Sequence, residues 1–171
     1  SYLYPDTKEL INDKNRRSLL VSVSASAETG KGGVIAEGYK GIPLRKGARY
    51  DLSFYIKTLS AYPKTVRFAL ADSSGETLLS EVFQVTPSYE WKKYGHTFTA
   101  TDSTAKAVLT ITTDSSALFW LDVVSLFPQQ TWKGRANGMR PELMTLIEAL
   151  HPRFIRFPGG SFAEGYTAGT Y

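Results

Sequence analysis

From about residue 16 to residue 127 the chain alternates apolar and polar side chains with a period of two, and no other feature limits its fold as strongly. In ARYDLSFYIKTL (48–59), Tyr50, Leu52, Phe54 and Ile56 fall on one side, with Asp51, Ser53, Tyr55 and Lys57 on the other. The pattern recurs in RRSLLVSVSA (16–25), TVRFALA (65–71), LLSEVFQV (78–85), WKKYGHTFTA (91–100), KAVLTITT (106–113) and LFWLDVVSLF (118–127). Successive side chains of a strand point to opposite faces, so each segment buries one face and wets the other. Turn residues break the pattern roughly every 8–12 residues, as in sandwiches and jelly rolls. The expected fold class is all-β, a jelly-roll β-sandwich over residues 1–128.

At residue 128 the pattern changes. PQQTWKGRANG (128–138) is polar, carries Pro and Gly, and is expected to be a linker. In RPELMTLIEALHP (140–152), Leu143, Leu146, Ile147 and Leu150 repeat at helical spacing behind Pro141, a residue suited to the first helical position. FIRF (154–157) follows as an apolar strand, then a Pro-Gly-Gly loop. Helix, short link, buried strand and glycine loop are the rhythm of an α/β parallel sheet, in which a strand needs neighbours. Residues 129–171 are therefore expected to be a linker and the opening of a second domain; a terminal helix and strand padding the sandwich is the alternative.

Several functional classes are excluded or disfavoured. With no Cys, the chain has no disulfide, no thiolate metal site and no Cys nucleophile. The net charge of +4 is scattered, as in Arg45, Lys46 and Arg49 or Lys92 and Lys93, so no nucleic-acid partner is expected. No apolar run approaches the ~20 residues of a membrane span, and no signal peptide is expected within this stretch; a precursor that carried one is the alternative. TGKGG (29–33) lacks the GK[ST] context of a phosphate loop and is expected to be a hairpin or loop. His96 and His151, the only histidines, are expected to be structural.

VSLFP (124–128), TWKGRANGMRPEL (131–143) and HPRFIRFPGGSFAEG (151–165) resemble the α-L-arabinofuranosidases of glycoside hydrolase family 51. SLLVSV (18–23), EGYKGIPLRKGARYDLSFYIK (37–57) and WKKYGHTFTA (91–100) look like that family's jelly-roll module, which is similar to carbohydrate-binding modules of families 4 and 9. The resemblance implies a parent with a (β/α)₈ catalytic barrel, of which residues 140–171 are the beginning. It also implies that Arg156 lines the sugar subsite of the intact parent; position 161 is Ser where the family carries Cys or Asn. A retaining glycosidase needs two carboxyl groups about 5 Å apart. The resemblance places both on later barrel strands, and Glu142, Glu148 and Glu164 do not form such a pair. No catalytic residue is assigned, and the chain alone is expected to be inactive.

Sugar-binding sandwiches stack exposed aromatic rings on sugar faces. Tyr55, Arg67 and Trp120 are each out of phase with the core side of their strands and would share one concave face if those strands share a sheet. Asp122 is a candidate ligand for a structural calcium of the kind related modules hold near the last strand; no other cofactor is expected. The expected partners are arabinose-containing polysaccharide, the parent's own barrel and, through the apolar tail, a second copy. Family resemblance implies an extracytoplasmic location. A structural spacer without sugar binding, and an unrelated adhesion sandwich, are the competing readings.

Overall fold

The computed structural model describes residues 1–24, 31–59, 63–72, 74–154 and 156. Its contacts divide the chain into two compact units, Ser1–Gln129 and Gln130–Tyr171.

Among its described residues the first unit holds ten strands: β1 (Tyr2–Asp6), β2 (Ser18–Val23), β3 (Gly32–Ala36), β4 (Ile42–Leu44), β5 (Arg49–Thr58), β6 (Thr65–Ala71), β7 (Thr77–Gln84), β8 (Lys92–Thr99), β9 (Thr104–Thr113) and β10 (Ala117–Pro128). Sheet 1 runs β1-β2-β10-β5-β8; sheet 2 runs β3-β9-β6-β7, with β4 also paired to β9. Every pairing is antiparallel. This is the expected all-β sandwich, and each of the seven alternating segments contains one of its strands.

The apolar side of each alternation meets its counterpart between the sheets. Phe54 of sheet 1 stacks on Phe68 of sheet 2 at 4.3 Å and meets the edge of Phe83 at 5.0 Å. Val21, Ile56, Leu70, Phe119 and Leu121 complete a core almost closed to solvent. Removing a ring such as Phe54 would cost about 3–5 kcal/mol through lost burial and the cavity left behind.

Three short strands escape the alternation. β1 lies at a sheet edge, where Pro5 costs no ladder bond. β4 spans only Ile42–Leu44. β3 corrects the loop expected over 29–33: Gly32 and Gly33 open this strand, while Thr29 and Gly30 lie outside the described residues. Gly33 is required there because a Cβ would sit 1.9 Å from the carbonyl oxygen of Ile111 on β9.

β10 departs from its own alternation. Its pairing with β5 slips between Asp122 and Ser125, and Val123 adopts φ 46°. This bulge inverts the phase. Phe119 and Leu121 face the core before it; after it Leu126 packs against the core, and Phe127 is exposed.

In the second unit, α1 (Pro141–Ala149) begins with Pro141 and is capped by Leu150, after which His151 adopts φ 47° ahead of Pro152. Leu143, Leu146, Ile147 and Leu150 are exposed. The expected linker is a folded turn: Thr131 Oγ1 donates to the Arg135 carbonyl at 2.5 Å, and the Trp132 N–H donates to the Met139 carbonyl at 2.9 Å. The Lys133 ammonium lies 3.8 Å from the Trp132 ring centre. Of the expected strand 154–157, Phe154 and Arg156 are exposed irregular backbone, and Ile155 and Phe157 lie outside the described residues.

Candidate functional site

The outward face of sheet 1 has a sealed half and an open half. Trp120 sits in the sealed half. It is 4% exposed although its ring is on the side away from the core. The segment following β1 covers this side. The Trp120 indole N–H donates to Asp6 Oδ2 at 2.7 Å, and Asp6 Oδ1 accepts the backbone N–H of Lys8 at 2.7 Å. These bonds, the Lys8 N–H first and the indole second, hold the Asp6 carboxyl below the usual carboxylate range. Lys57 pairs with Glu9 at 2.5 Å, and Ser18 Oγ donates to the Glu9 carbonyl at 2.7 Å. Asn15 Nδ2 donates to Asp122 Oδ2 at 3.2 Å.

The expectation of one face shared by Tyr55, Arg67 and Trp120 is therefore corrected. Trp120 and Tyr55 lie on sheet 1 and Arg67 on sheet 2, because β6 pairs with β7 and β9 rather than with β5 or β10. Alternation gives a residue's side of its strand but not which sheet the strand joins. Trp120 is a buried anchor under the segment after β1 and offers no open ring for stacking.

Asp122 serves as a clamp on the bulge: Oδ1 accepts the Val123 N–H at 2.7 Å while Oδ2 holds Asn15. No group of three or more His, Cys, Asp or Glu suited to a metal ion occurs among the described residues. Both carboxyl oxygens of Asp122 thus already accept hydrogen bonds from the protein. Arg156 is exposed in the second unit; Ser161 and Glu164 lie outside the described residues.

Tyr55 does lie in the open half. It pairs with Asp122 and Lys93, and the Lys93 ammonium is 5.8 Å from its ring centre. The next outward row is small: Ser125, Ser53 and Gly95, with the two hydroxyls bonded at 2.9 Å. The row after it holds Phe127, Asp51 and Thr97. Asp51 Oδ1 accepts from Thr97 Oγ1 at 2.5 Å and from Gln129 Nε2 at 2.8 Å, the Thr97 bond leading, and its carboxyl is held below the usual range. A low floor thus runs between two aromatic residues, Tyr55 and Phe127, with a carboxylate, hydroxyls, an amide and an ammonium around it. Outward rows on a strand are ~7 Å apart, so the rings are about 14 Å apart along the strands. Such a floor accommodates sugar rings, with stacking at its ends and hydroxyl partners along its edge. Phe127 is invisible to an alternation argument because only the bulge turns it outward, and a floor built from Ser53, Gly95 and Ser125 carries no sequence signal.

The carbohydrate-binding domain family of the 4/9 type matches residues 7–117, most of the sandwich. The chain belongs to this family. Over 94% of its length the domain is 38% identical to an extracellular exo-α-L-arabinofuranosidase of Streptomyces chartreusis, covering 19% of that enzyme. Its fold matches an arabinose-bound family 51 α-L-arabinofuranosidase with a TM-score of 0.86 at 23% identity, over 99% of this chain and 28% of that one. A family 4 carbohydrate-binding module matches with a TM-score of 0.52 at 19% identity, over 72% and 87%. The chain spans about a fifth to a quarter of the length of the curated relatives it matches. No helix among the described residues is long and apolar enough to cross a membrane.

Proposed function

We propose that this chain is the non-catalytic carbohydrate-binding module of an α-L-arabinofuranosidase, and that it holds arabinose-containing polysaccharide on the floor between Tyr55 and Phe127. The observation that carries the reading is that floor: a small-residue row flanked by two outward aromatics, on a sandwich of the carbohydrate-binding family. The parent would remove terminal α-L-arabinofuranosides from arabinan or arabinoxylan by a retaining mechanism, using carboxyl groups of a barrel that this chain opens. In the parent, Arg156 would donate paired hydrogen bonds to sugar oxygens. By itself the chain hydrolyses no arabinofuranoside. Its location is extracytoplasmic, in line with the word "extracellular" in the Streptomyces relative's name.

Calorimetric titration with arabinan and arabinoxylan oligosaccharides tests this. Saturable heat is expected. An aromatic contact of about 0.5–1.5 kcal/mol corresponds to roughly twofold to tenfold weaker binding in Tyr55→Ala and in Phe127→Ala. Heat that neither variant changes would move the site elsewhere. A second reading is favoured by the burial of Trp120: a structural accessory domain with no sugar binding of its own, for which no heat would appear at millimolar ligand.

A further inference from the structure

The outward face of sheet 2 differs in chemistry from that of sheet 1. The aromatic residues of its strands, Phe68 and Phe83, are both in the core, so no strand ring is available there for stacking. Gly33, Thr112, Arg67 and Val82 form one row across β3, β9, β6 and β7. Beside Arg67 opens a pocket of about 100 Å³, lined also by Lys31, Thr65, Thr113 and Asp114. Arg67 Nη1 donates to Ser80 Oγ at 3.0 Å, and among the described residues no carboxylate pairs with Arg67 or Lys31. Asp114 Oδ1 accepts from Thr65 Oγ1 at 3.2 Å and is the one carboxylate among the described residues that line the pocket.

A guanidinium and an ammonium in one pocket match a carboxylate, which a guanidinium binds through paired, charge-assisted hydrogen bonds. Asp114 and the threonines supply partners for hydroxyls beside that carboxylate. The volume admits a substituent and its neighbouring hydroxyl rather than a whole chain, and the strands of this face present no outward ring. We propose that this pocket binds the carboxylate of a uronic acid residue, giving the module a second, acid-sugar site on the face opposite the neutral-sugar floor. The proposal rests on the reading that the sandwich binds polysaccharide.

The test is calorimetric titration of the whole chain with a short oligogalacturonate, its methyl ester and a neutral arabino-oligosaccharide, with polyglutamate as a plain polyanion. Expected are binding of the acid, at least tenfold weaker binding of the ester, and at least tenfold weaker binding of the acid by Arg67→Ala. Arg67→Lys should fall between, and neutral-sugar binding should be unchanged in both variants. Equal binding of acid and ester, indifference of the acid to Arg67→Ala, or equal binding of polyglutamate would overturn the second site while leaving the neutral-sugar reading standing. Absence of heat with every saccharide would overturn both.

Discussion

The bond from the Trp120 indole to Asp6 fixes the segment after β1 over sheet 1, and Asp6→Ala tests how much the domain depends on it. The substitution leaves a donor on a side chain only 4% exposed without its 2.7 Å acceptor. It also removes the acceptor for the Lys8 N–H at 2.7 Å. An unsatisfied buried N–H costs about 1–3 kcal/mol, and water reaching the loosened segment moderates this, so about 2 kcal/mol is expected. That corresponds to a fall in Tm of about 4–8 °C for a chain of this size. Thermal unfolding followed by tryptophan fluorescence reads both consequences, since Trp120 should also emit further to the red in the variant. Subtracting the spectrum of Trp120→Phe separates its signal from Trp91 and Trp132. The effect should depend on pH. The folded-state pKa of Asp6 is lowered, so its contribution is complete above the unfolded value near ~3.9 and is lost as pH falls through the folded value. The gap between wild type and variant should therefore persist at neutral pH and close on acidification. An unchanged Tm together with unshifted emission would show that the Trp120–Asp6 bond does not hold the segment in place.

The same covering predicts that Trp120→Ala costs about 3–5 kcal/mol in urea unfolding, a loss of stability rather than of sugar affinity alone. Val123→Gly should stabilise the sandwich by about 1 kcal/mol in the same assay, because a β-branched residue at φ 46° carries left-handed strain that Gly does not; a destabilised variant would show that the exposed valine makes contacts that outweigh it. The apolar stripe of α1, with Leu146 66% and Leu150 79% exposed, should drive concentration-dependent self-association of the isolated chain in sedimentation experiments. Leu146→Glu with Leu150→Glu should leave a monomer; wild type that stays monomeric at high concentration would contradict this.

What the sequence made legible follows from what alternation records. The period of two identified seven strands and their core sides because those strands bury one face, as Tyr50, Leu52, Phe54 and Ile56 do on β5. It does not assign strands to sheets, so it cannot separate Arg67 from residues of the opposite face. Nor does it encode the bulge, whose local device is Asp122 bonding the next N–H, and so it leaves Phe127 on the core side of β10. The burial of Trp120 depends on a polar segment, residues 7–15, that has no periodicity of its own. The open floor was half visible: Tyr55, Ser53 and Asp51 are the off-core residues of β5, while Gly95 and Ser125 contribute by being small. The helix was legible from Pro141, its apolar spacing and Pro152, whereas the turn before it depends on left-handed Lys133 and Asn137, which composition alone reads as linker.

On the proposed function, neutral arabinosyl ligand lies on the open half of sheet 1. Titration of isotopically labelled chain with an arabino-oligosaccharide, followed by backbone amide NMR, tests it most directly. Saturable shifts are expected, centred on Ser53, Tyr55, Gly95, Ser125 and Phe127, with little change around Arg67. Shifts confined to another face, or none at millimolar ligand, would contradict it.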